Sequence, residues 1–160
     1  MKKTDSSYFN MDSFREDNIR AVDAKFEAQK IAFAPLCFQA VRAMLELGLL
    51  KAIEDSGDAG ISRKELSQKT GVSEYGAGVL CEMMLGMNVI KLAKQADEER
   101  FVIGKTGWML LEDDLTKVNF WFTNDICYQG AWDLTASVKN GKPEGLKVFG
   151  PRKNAAILEG

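Results

Sequence analysis

Between Ile61 and Ile103 the chain carries, in order, a capped helix, a glycine turn, a second capped helix and two short apolar runs around a polar tip. Few folds accept that order. Ser62 stands three residues ahead of Glu65, a capping box that starts a short helix running to Lys69. Thr70-Gly71-Val72 is the turn, and Ser73 is placed to cap the next helix. Val79, Leu80, Met83, Met84 and Met87 give that second helix one apolar stripe, and Asn88 ends it. Val89–Ala93 and Arg100–Ile103 flank the tip Lys94–Glu99 and are predicted to pair as a hairpin. The pattern is mainly α: a winged helix-turn-helix with a small β-hairpin wing, extended by further N- and C-terminal helices.

Such a shape suggests DNA binding, and the charges oppose it. A DNA-reading helix needs Arg, Lys, Asn or Gln at base edges, with cations around it for the phosphates. From Glu74 to Met87 there is no Lys or Arg, and the only charges are Glu74 and Glu82. The wing tip holds Asp97-Glu98-Glu99, which phosphates repel. The whole chain has 21 Lys+Arg against 23 Asp+Glu, a net charge of −2, which leaves little to neutralise a phosphate backbone. Lys64, Lys69, Lys91 and Arg100 keep some basic character nearby. Nucleic acid is therefore not an expected partner.

The 160 residues fit one domain with a helical extension, and 46% hydrophobic content is enough for a packed core. Expected boundaries are a loose N-terminus at 1–10, an N-terminal dimerisation helix at 11–32, the winged-helix domain at 33–150 and a tail at 151–160. The longest apolar region, Ile31–Leu50, is broken by Gln39, Arg42 and Glu46, so no membrane span is expected. The first ten residues lack the apolar run of a signal peptide. Cys37, Cys81 and Cys127 are an odd, unclustered set, which suits buried thiols in a reducing, cytoplasmic setting and makes a metal site improbable. There is no histidine. That removes histidine-based triads, Cys–His pairs and histidine metal ligands, and no carboxylate or lysine pair is singled out, so no catalytic residue is assigned.

Along the chain, Met11–Ile31 is free of Gly and Pro and rich in helix formers. Ile19, Val22, Phe26 and Phe33 form a narrow apolar seam, which either packs on its own domain or crosses to a partner subunit as a dimer interface. Pro35 marks a kink or a fresh helix start. Phe38, Val41, Leu45 and Leu49 form a second apolar face, widened by Ala40, Ala43 and Met44. Gly76-Ala77-Gly78 is a lone Gly-x-Gly that follows a helix and turn rather than a strand, so close backbone packing is the expected role and cofactor binding is not. The segment Asn119–Trp132 gathers five aromatic residues. As a regular helix it places Trp121, Asn124 or Asp125, Tyr128 and Trp132 along one side, suited to a small-molecule pocket wall, a subunit interface or plain core. A following helix ends at Asn140-Gly141-Lys142-Pro143, and Gly145–Gly150 is read as a loop.

Leu45-Glu46-Leu47-Gly48-Leu49-Leu50-Lys51-Ala52-Ile53 resembles the "LGLFDAL" segment in the N-terminal domain of S-adenosylmethionine-dependent O-methyltransferases. The helix-turn-helix from Ser62, the Val79–Met84 run, the hairpin, the Thr106-Gly107 turn and the later helix ending at Gly141-Lys142-Pro143 follow in the same order. The resemblance spans Phe33 to Gly150, although bacterial winged-helix regulators share its first half. It implies a homodimerising module that does not bind DNA and supplies part of a substrate-pocket wall. By family position it makes Trp121, Asn124, Asp125, Tyr128 and, beside them, Trp132 the substrate-facing candidates. Catalysis in that family belongs to a following Rossmann-like domain with a glycine-rich cofactor loop. Neither that loop nor a histidine base is present here. The implied chain is inactive by itself, with S-adenosylmethionine expected only where such a C-terminal domain exists in the full protein. The alternative is a winged-helix transcriptional regulator with a small-molecule effector pocket.

Overall fold

The computed structural model describes residues 15–94 and 98–150. Two compact units divide at Ala43 and Met44. The first consists mainly of helix α1, Ala21–Glu46, whose last turn belongs to the second unit. The helix expected from Met11 starts at Ala21 instead. Arg15 to Arg20 are not helical, and Met11 to Phe14 lie outside the described residues, as do 1–10. Arg20 and Asp23 form an ion pair at the start of α1, 2.6 Å apart, with Asp23 in the favourable first turn. No fresh helix start occurs at Pro35, since α1 is continuous through it.

The second unit continues with α2 (Leu49–Asp55), β1 (Ile61–Ser62), α3 (Arg63–Thr70), α4 (Glu74–Gly86), β2 (Ile90–Leu92), β3 (Arg100–Ile103) and α5 (Lys105–Glu112). Both caps form as the sequence predicts. Ser62 Oγ accepts from the Glu65 amide at 3.3 Å, and Glu65 Oε2 accepts from the Ser62 amide at 2.8 Å. Ser73 Oγ accepts from the Gly76 amide at 3.1 Å. Gly71 closes α3 in the left-handed conformation, φ 74°, where a side chain is strained. Asn88 takes φ 59° after α4, a conformation Asn tolerates better than most residues.

The wing has one strand more than the hairpin. β1 pairs antiparallel with β3 (Ile61 opposite Phe101), and β3 pairs with β2 (Leu92 opposite Phe101), in the order β1-β3-β2. At two residues β1 is too short to show an alternating pattern. Of the tip, Gln95 to Asp97 lie outside the described residues.

The core consists of Met44, Leu49, Leu50, Ala52, Ile53, Ile61, Leu66, Ala77, Cys81, Met84, Val89, Ile90 and Phe101, and it contains no buried polar side chain among the described residues. One sequence expectation is corrected here. The buried face of α4 is Ala77, Gly78, Cys81 and Met84, whereas Val79 is 39% exposed and Leu80, Met83 and Met87 are half-buried. Small residues win because α3 packs close. A Cβ on Gly78 would lie 2.7 Å from Arg63 Nη1, below van der Waals separation. Gly76 and Gly78 are thus packing glycines inside a helix. Burial raises the Cys81 thiol pKa to about 12, which keeps it un-ionised and inert.

Candidate functional site

After Gly107 no described residue is buried. This C-terminal stretch comprises α6 (Asp114–Phe122), a wide π turn (Thr123–Cys127), α7 (Tyr128–Gly130), a 3₁₀ turn at Ala131–Asp133 and α8 (Leu134–Asn140). Asp113 caps α6, accepting from the Thr116 amide and hydroxyl, each at 2.7 Å. These bonds hold the Asp113 carboxyl below its ordinary pKa. Gly141, φ 62°, ends α8 as expected. The segment read as a loop is instead a 3₁₀ helix, Glu144–Phe149. It lies against α7 through a crossing of two backbones: a Cβ on Gly145 would lie within van der Waals distance of the Gly130 carbonyl oxygen and 2.9 Å from its carbon.

The unusual property of this stretch is which side of its helices is apolar. Leu115, Val118 and Phe122 follow one helical stripe at spacings of three and four, and they are 70%, 64% and 56% exposed. Ile126, Trp132, Leu134 and Val138 are exposed as well. A helix in water is expected to turn such a stripe inward, and an outward apolar stripe of this kind marks a contact site. The first unit shows the same feature. Of the predicted interface residues, Ile19, Val22, Phe26 and Phe33 are all exposed, joined by Ile31 and Leu36. Lys30 Nζ lies 4.7 Å from the Phe26 ring centre, a cation–π contact that shields part of it.

The five substrate-facing candidates differ in exposure. Trp121, Asn124 and Tyr128 are half-buried, while Asp125 and Trp132 are exposed. Trp121 packs edge-on to Phe120, ring centres 5.4 Å apart, and Asn124 donates to Asp125 Oδ1 at 2.8 Å. The π turn at Thr123–Cys127 departs from the regular 3.6-residue helical register that the sequence expectation used. An apolar cleft of about 250 Å³ follows that turn, lined by Ile126, Cys127, Gly130, Ser137, Pro143, Gly145, Leu146 and Phe149. None of the five lines it. The sequence held one usable signal for the cleft, the glycines at 130 and 145, but their contact depends on the tertiary crossing.

Around the wing the two arginines are committed. Arg63 Nη2 reaches Glu99 at 2.9 Å and Glu82 at 3.6 Å. Arg100 reaches Glu98 at 2.7 Å and Glu65 at 2.8 Å, and also donates to the carbonyls of Ala59 and Gly60 at 3.0 and 2.9 Å. Two hydrogen bonds from Ser62 are the largest influence holding the Glu65 carboxyl below its ordinary pKa, with Arg100 adding to them. Among the described residues no group of three or more His, Cys, Asp or Glu side chains is placed to hold a metal, and no single helix is long and apolar enough to cross a membrane.

Taken together, this is a mainly α, winged-helix-like domain with two apolar surfaces left uncovered. Residues 25–101 match the family model of the Dimerisation2-like domain. Comparison with curated proteins gives no match by sequence. Among solved structures the fold is shared with three S-adenosylmethionine-linked proteins. The methyltransferase SibL is 21% identical with a TM-score of 0.64, over 76% of this chain and 35% of that one. Human N-acetylserotonin methyltransferase, solved with S-adenosylmethionine, is 17% identical with a TM-score of 0.63, over 87% and 40%. LepI, also solved with S-adenosylmethionine, is 14% identical with a TM-score of 0.65, over 87% and 36%. The chain therefore spans well under half the length of the solved chains it matches.

Proposed function

We propose that this chain is the dimerisation and substrate-pocket-wall domain of an O-methyltransferase-like protein, working as a homodimer. One observation carries the reading: apolar stripes on α1 and α6 point outward, where only another protein surface can dry them. The Dimerisation2-like match and the fold shared with S-adenosylmethionine-linked proteins support the same assignment. In this reading Val22, Phe26 and Phe33 meet a second copy, and the half-buried Trp121, Asn124 and Tyr128 face a small-molecule substrate held partly by a cofactor-binding domain. S-adenosylmethionine belongs to that other domain, which supplies the catalytic groups; alone, this chain transfers no methyl group. Its free cysteines suit the cytoplasm.

Sedimentation equilibrium at micromolar concentration tests the assignment. The expected mass is twice the 17.8 kDa of the chain, and a monodisperse monomer overturns the proposal. A gel-shift assay at low salt is expected to leave duplex DNA unretarded, since Arg63 and Arg100 are already paired with carboxylates.

A further inference from the structure

The outward face of the wing sheet, which none of the foregoing uses, forms one wall of an open cleft of about 1040 Å³. Lys91 and Val102, opposite one another on β2 and β3, make its floor. Lys94, Lys105, Thr106 and Asp58 also line it. Six lysines and arginines in the second unit lack a carboxylate partner among the described residues: Lys64, Lys91, Lys94, Lys105, Lys139 and Lys142. Half of them line this cleft. Among the described residues the one side-chain bond of its three lysines runs from Lys91 Nζ to Asn88 Oδ1 at 2.5 Å, which leaves further ammonium protons for a ligand.

The backbone adds to the same field. Lys105 and Thr106 begin α5, whose first amides have no intrahelical acceptor. The N-cap is Gly104, which offers no side-chain oxygen to cap them. Glycine is required there by close approach, since a Cβ would lie 2.7 Å from the Val89 carbonyl oxygen. The helix end reinforces a site that the three lysines already define.

We infer that this cleft binds the phosphate or diphosphate group of a small molecule, with Lys91 and Lys105 as the principal cations and Lys94 completing the rim. The volume exceeds what a phosphate alone fills, and Leu92, Ala93 and Ile103 give the remainder of the ligand an apolar wall. A long polyanion fits less well. Asp58 lines the same cleft, and Glu98 and Glu99 follow in the wing sequence. The inference is independent of the dimer and of methyl transfer.

The test is calorimetric titration of the full 160-residue chain with inorganic pyrophosphate, beside a short duplex DNA, at fixed ionic strength. Saturable binding with a Kd below about 1 mM is expected. Lys91→Gln and Lys105→Gln should each weaken it about tenfold, as loss of a charge-assisted hydrogen bond does, while Lys139→Gln, exposed elsewhere, changes nothing. All three positions are exposed, and circular dichroism should confirm unchanged folding. Absence of saturation overturns the inference, as does equal binding by the Lys91 and Lys105 variants. Tighter binding of the duplex than of pyrophosphate, lost in the same variants, also overturns it and assigns the cleft to nucleic acid.

Discussion

Replacing Gly107 with alanine sets two well-characterised effects against each other. Gly107 is buried in the first turn of the eight-residue helix α5. Helix propensity alone favours alanine there by about 1 kcal/mol. Geometry opposes it: the new Cβ would lie 2.5 Å from the Val89 carbonyl oxygen, 2.6 Å from Ile103 Cδ1 and 3.3 Å from Val89 Cγ1. Ordinary contacts sit near 3.5–4.0 Å. The Ile103 methyl can rotate away, but the Val89 oxygen is fixed by the Gly104 amide, which it accepts at 2.9 Å. Relief therefore requires α5 to move by about 1 Å from the wing, an overpacking cost of ~2–3 kcal/mol. The net expectation is a loss of about 1–2 kcal/mol, or a Tm lower by about 2–8 °C in a chain of this size. Gly86→Ala is the matched control. It lies at the end of α4 with nothing within 4 Å of the new carbon, so it should gain about 0.5 kcal/mol. Urea unfolding followed by circular dichroism, at one protein concentration for all variants, reads both. A stabilised Gly107→Ala protein refutes the packing argument.

Other expectations follow from the same structure. Phe26→Ser should weaken self-association by about 30-fold or more, because a twofold interface loses the contact twice; sedimentation equilibrium measures it, and an unchanged Kd argues against α1 as the interface. Ser62→Ala should cost about 1 kcal/mol through loss of the α3 cap, read as a lower urea midpoint. On the acid side, the folded-state pKa of Glu65 lies below its ordinary value of 4.5. Its contribution is complete above that value and disappears as pH falls through the depressed folded pKa. Glu65→Gln should therefore flatten stability against pH in that acid window and leave the neutral slope unchanged. Under native conditions Cys37 and Cys127, both half-buried, should react with a thiol reagent while Cys81 does not. Equal labelling of all three shows that the core opens.

The parts of this fold visible in sequence are those set by local chemistry. Ser62 with Glu65, Ser73, the α3–α4 turn and the left-handed Gly141 each act within a few residues, and each is where its residue type places it. The paired runs at 90–92 and 100–103 are also local. What the sequence hid depends on packing at a distance. β1 is two residues long, and only its pairing with Arg100 and Phe101 makes it a strand. The inner face of α4 is Ala77, Gly78, Cys81 and Met84 rather than its largest apolar run, because packing against α3 sets which side turns inward. The aromatic side Trp121, Asn124, Tyr128, Trp132 assumed 3.6 residues per turn, and the π turn at Thr123–Cys127 breaks that register. The 3₁₀ helix at Glu144–Phe149 was invisible for the same reason, since Gly145 matters only once Gly130 lies beneath it.

The core described above has no polar side chain in it, so nothing directional inside the domain distinguishes one aliphatic residue from another of similar volume. Such an interior can drift far in sequence while keeping its shape, which is how a chain 14% identical can still superimpose with a TM-score of 0.65. The fixed points are places where main chain meets main chain, at Gly107 against Val89 and at Gly145 against Gly130. A search keyed to the spacing of those glycines, rather than to overall identity, should recover distant relatives that alignment of the apolar positions misses.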